Sequence, residues 1–124
     1  MRFIIACTAF ALCAVPALAA QDIMASTYGN TTISTGGPAE IHSHYRADHT
    51  FDMTGSAMGV TRTFKGTWAL DHKGHLCRTF IGDLPSEMPS NPVCTDIAPH
   101  KIGDKWTLEV RGTTREVTLV KGIQ

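Results

Sequence analysis

The sequence predicts an all-β fold: a small antiparallel meander barrel of about seven or eight strands with one disulfide, or, as the alternative, a two-sheet β-sandwich. Three observations carry this. Thr, Val, Phe, Tyr and Trp alternate with polar residues, glycine-containing turns break the runs at short intervals, and no apolar 3.6-residue period follows the N-terminal leader. A flat sheet of that many strands would leave two long edges with unpaired backbone groups, and closure into a barrel removes them.

The leader comes first. Arg2, an apolar run from Phe3 to Val15, Pro16 and a small-residue end form the three-part pattern of a secretory signal peptide. Ala17 and Ala19 stand where the processing enzyme reads small side chains, which places cleavage after Ala19 and a single domain over 20–124. The apolar run is shorter than the roughly 20 residues of a spanning helix, and no membrane span is expected. The mature chain has 10 basic and 11 acidic residues, so its formal charge of −1 excludes a nucleic-acid or anionic-membrane footprint. The leader also removes Cys7 and Cys13. Cys77 and Cys94 remain, and an even pair in an exported chain reads as a disulfide. A loop of this length is stabilised by about 3 kcal/mol in the chain-entropy description.

The strands follow in order. "NTTIST" and "AEIHSHYR" flank a "GGP" turn. "VTRTFKGTWAL", residues 60–70, is the clearest: Val60, Phe64, Trp68 and Leu70 fall on the inward parity with Gly66, and Thr61, Thr63, Lys65 and Thr67 on the outward one. Gly66 suits a bend or the close approach of another backbone. "DHKG" turns the chain into "HLCRTFI". Residues 82–93 form the one long loop, whose three prolines forbid a central strand. "KWTLEV" and "REVTLV", joined by "RGTT", complete the set, with Trp106, Leu108 and Val110 on one face. Trp68, Trp106, Phe51, Phe64, Tyr45 and Met53 supply enough volume to predict a filled interior.

"IHSHYRADHTF", residues 41–51, concentrates three histidines. Parity makes it the first half of a hairpin whose turn centres on Asp48. Tyr45 and Phe51 face inward, His44 stands opposite Asp52 and His42 opposite Thr54 on the water side, and His49 occupies a turn position where positive φ is ordinary. H-x-H on a strand aims both rings the same way, so His42, His44 and Asp52 are the candidate ligands for copper or zinc. No cofactor is otherwise implied.

"YGNT", "HYRADHTF", "GTWALDHKGHLC", the second cysteine, "IGDKW" and "VTLVKG" together resemble a group of small exported bacterial β-rich proteins. The resemblance spans most of the mature chain and implies turns, a tryptophan strand and a cysteine pair rather than an activity. In that group a glycine usually stands where this chain has His49. "GTWALDHKGHLC" is also similar to part of the bacterial metalloprotease-inhibitor barrels, and "GTW" to lipocalin-type and avidin-type barrels. The inhibitor resemblance implies an N-terminal segment, here "AQDIMAST", that enters a protease cleft.

No serine stands in a nucleophile elbow and no glycine loop is built to cradle phosphate, so an enzyme is not expected. The expected class is a non-enzymatic exported binding or interaction module of the bacterial envelope, periplasmic or secreted, with a protease inhibitor as one form. Metal binding through the surface histidines and small-ligand binding in a lipocalin-like barrel are the alternatives. The partner expected first is another exported protein, with Leu84, Pro85, Met88 and Pro89 of the long loop as candidate contacts.

Overall fold

The computed structural model describes residues 22–85 and 90–124; the expected leader and its cleavage point lie outside them. Eight strands follow in order: β1 (Thr31–Thr35), β2 (Glu40–Tyr45), β3 (Thr50–Ala57), β4 (Val60–Leu70), β5 (His75–Ile81), β6 (Val93–Asp96), β7 (Lys105–Val110) and β8 (Thr113–Val120). All pair antiparallel in a single sheet of order β6-β5-β4-β3-β2-β1-β8-β7. The sheet curls until its end strands, β6 and β7, lie side by side without a ladder between them. The result is a nearly closed barrel, not the two layers of the sandwich alternative. Among the described residues no helix is long and apolar enough to cross a membrane.

The hairpin register follows parity. Tyr45 pairs with Phe51, His44 with Asp52 and His42 with Thr54, and the Arg46 N–H donates to the Thr50 carbonyl at 3.0 Å. His49 holds φ at 72°, the left-handed conformation that glycine or asparagine would adopt more readily. Gly66 answers to close approach: a Cβ there would lie 2.0 Å from the Thr79 carbonyl oxygen on β5. The missing side chain also lets Phe51 and Phe80, its neighbours in the two flanking ladders, meet edge to face at 5.2 Å.

Three details differ from the sequence reading. Val93 belongs to β6 rather than to the long loop, because four residues after a proline-rich stretch are too few to show a period of two. β7 and β8 join through Arg111 and Gly112 alone, both at positive φ, so β8 starts inside "RGTT". Val60 and Leu70 keep the inward parity but lie at opposite ends of the long β4, where the barrel does not cover them; Val60 is 61% exposed. The disulfide joins Cys77 and Cys94, which stand opposite each other on β5 and β6. Above it, the Asn91 side chain accepts from the Phe80 N–H at 2.8 Å and donates to the Phe80 carbonyl at 2.9 Å, standing in for a strand partner where β6 has not begun.

The main core cluster is Met24, Tyr45, Phe51, Met53, Trp68, Leu76 and Phe80, and Val117 and Leu119 of β8 are buried as well. Met24 comes from the turns of residues 22–30, which fold across one end of the barrel and drive this side chain into it. The Ser26 hydroxyl fastens these turns to the His100 carbonyl, and the Trp68 indole N–H donates to the Arg46 carbonyl at 2.9 Å.

Candidate functional site

The interior is not filled. A cavity of about 180 Å³ runs inside the barrel. On the β1–β2 wall it is lined by Thr32, Ser34, Ile41, Ser43 and Tyr45, and on the β5–β6 wall by Leu76, Arg78, Phe80, Val93 and Thr95. Trp106, Leu108, Val110 and Val117 line it from β7 and β8. Trp106, expected in the core beside Trp68, is only half-buried: its ring stacks on His100 at 3.4 Å and 7° and faces the cavity. The physical reason lies at the seam. β6 is four residues long and makes no ladder with β7, so nothing presses the β7 side chains against the opposite wall. Outside this seam a groove is lined by His75, Cys94, Thr107 and Glu109, and it shares Thr95, Asp96 and Leu108 with the cavity.

Two arginines face the cavity from the inward parity. Arg115 donates to the Ser34 and Ala39 carbonyls at 3.0 and 2.7 Å and holds the loop after β1. Its guanidinium explains Gly37, where a Cβ would meet Arg115 Nη1 at 2.1 Å. Arg78 lies between Leu76 and Phe80 on β5, with Nε donating to the Tyr45 hydroxyl at 2.7 Å and Nη1 to the Thr95 hydroxyl at 3.1 Å. A charged residue flanked by inward apolar ones was the readable signal in "HLCRTFI", and the sequence reading passed over it.

Of the expected metal ligands, His44 and Asp52 bond each other and His42 is engaged elsewhere. His44 Nδ1 bonds Asp52 Oδ1 at 2.8 Å, His42 Nε2 bonds Glu40 Oε1 at 2.7 Å, and Arg46 is paired with the other Asp52 oxygen. Burial alone would raise the Asp52 pKa; the hydrogen bonds from His44 and Arg46 outweigh it and hold the carboxyl below its ordinary range. A guanidinium on the carboxylate opposes a cation there. Among the described residues no group of three or more His, Cys, Asp or Glu is placed to hold a metal ion. Nor is His44 open to water, as parity alone predicted: its side chain is 14% exposed, because the C-terminal residues lie over it and the Gln124 main-chain oxygen is 3.3 Å from Nε2. His49 stacks on Trp68 at 4.1 Å and 7°, and its Nδ1 lies 3.0 Å from the Trp68 carbonyl oxygen.

In the long loop Leu84 packs against the core and Pro85 is buried, while Met88 and Pro89 lie outside the described residues. The N-terminal residues from 22 onward are folded onto the barrel rather than extended from it. The chain matches no family model, no curated protein and no solved structure.

Proposed function

We propose that this protein is a non-enzymatic binding protein of an oxidising, exported compartment that takes a small, largely apolar ligand into its barrel. The observation that carries this reading is the cavity of about 180 Å³ with mostly apolar walls. The cavity opens to solvent, so a ligand can reach it, and its walls are set by side chains that stay unpacked on the β7 side. It is comparable to the roughly 150 Å³ apolar cavity that accepts benzene, so the ligand is a single ring or a short alkyl chain rather than a large cofactor. The disulfide and the leader pattern support export. The fold of residues 22–30 weighs against the inhibitor form, because Met24 is committed to the barrel end.

Titration of the mature chain with benzene and with 1-hexanol, followed by Trp106-sensitive fluorescence and thermal melting, tests the reading. Saturable binding with a rise in melting temperature is expected, and it is expected to vanish in Leu108→Trp, which places a larger side chain in the cavity wall. Absence of saturable binding by the native chain would overturn the proposal.

A further inference from the structure

Resting on the cavity reading, we infer that the ligand carries a carboxylate, and that Arg78 with the hydroxyls of Tyr45 and Thr95 is its binding site. The cavity's charge is one-sided. Among the described residues its lining includes the guanidinium of Arg78, that of Arg115, which is engaged with the loop after β1, and one carboxylate, Asp96. Asp96 does not serve the interior: its side chain is 90% exposed and turns to His75 Nε2, 3.4 Å away across the outer face.

Arg78 is a partly buried cation whose hydrogen bonds go to neutral oxygens and whose guanidinium lies over the Tyr45 ring, 5.6 Å from its centroid. Among the described residues no carboxylate lies within ion-pair distance of it. A charge taken from water into such surroundings is normally paired, because desolvation costs more than neutral hydrogen bonds return. The two bonds occupy Nε and one Nη1 hydrogen and so fix the plane of the guanidinium. The outer Nη1–Nη2 edge, which matches a carboxylate's two oxygens, keeps its remaining donors. Tyr45 and Thr95 add to the set: each hydroxyl accepts from Arg78 and retains its own O–H to donate. Ile41, Leu76, Phe80 and Val93 add apolar lining for the ligand's body. A planar monoanion suits this volume better than a phosphate dianion, whose larger hydration would have to be removed.

The test compares hexanoate with 1-hexanol, equal in chain length and different in charge, by calorimetric titration of the native mature chain, Arg78→Met and Tyr45→Phe. Native protein is expected to prefer hexanoate by roughly tenfold to a hundredfold, the range of charge-assisted hydrogen bonds. Arg78→Met is expected to abolish that preference while 1-hexanol still binds. Tyr45→Phe, which keeps the ring and the arginine, is expected to weaken hexanoate alone by a smaller factor. The native comparison stands even if a variant fails to fold. Equal binding of the two probes by native protein would overturn the carboxylate site and leave the cavity reading intact; binding of neither would overturn both.

Discussion

The wall from β2 to β5 and the strand β7 are written in the same alternating pattern, yet only the first is packed. Tyr45, Phe51, Trp68, Leu76 and Phe80 interlock around Met24, each buried. Trp106, Leu108 and Val110 share one face with equal regularity, and each stays half-buried at the rim of a cavity. Parity decides which way a side chain points. Burial is decided by what surrounds it, and beside β7 there is a short strand and an unladdered seam.

The sharpest way to break this comparison is a matched pair of truncations. Phe51→Ala is expected to cost about 3–5 kcal/mol, the range for a large aromatic removed from a packed core, and to leave few folded molecules in a domain this small. Trp106→Ala is expected to cost only about 1–2 kcal/mol, since the ring is incompletely buried and borders the cavity. Urea unfolding of both variants checks the contrast, and equal losses would show that the β7 wall is packed after all.

A smaller effect sharpens the account of the packed wall. Gly66→Ala puts a methyl against the β5 backbone, which cannot rotate away as a side chain would. Destabilisation by about 1–3 kcal/mol is expected, the cost of overpacking. The same substitution at Gly59, where a Cβ would meet nothing within 4 Å, strains only a φ of 81° and is expected to cost less. Denaturant midpoints of the two variants rank them.

The smallest expected effect concerns the turn at the end of the packed β4–β5 hairpin. Burial alone would raise the Asp71 pKa, but the His75 N–H, the His75 ring and the Lys73 N–H hold this carboxylate and bring it down to about 2. A depressed carboxylate contributes stability that is present above its unfolded value of 3.8 and is lost as pH falls from there through about 2. NMR titration of Asp71 should show its midpoint near 2, and Asp71→Asn should lower stability slightly at neutral pH and flatten the acid limb of the curve in that window, so that the two chains converge as pH falls.

Much of this was legible in the chain. Alternation and turn residues specify strands locally, so the register of Tyr45 with Phe51, the positive φ of His49 and the role of Gly66 follow from residue types a few positions apart. The cysteine pair identifies its own bridge because no other candidates remain in the described chain. Tertiary structure alone decided the rest. Whether an interior fills depends on summed volumes from eight strands and on how tightly their ends meet, and neither is written in any one segment. The short β6, the seam beside β7 and the turns that carry Met24 into one end together leave the cavity on one side. Arg78 faces inward by parity, but Tyr45 stands 33 residues before it and Thr95 17 after it. Only closure of the sheet brings the two hydroxyls to one guanidinium, because hydrogen bonds form over about 3 Å whatever the separation along the chain.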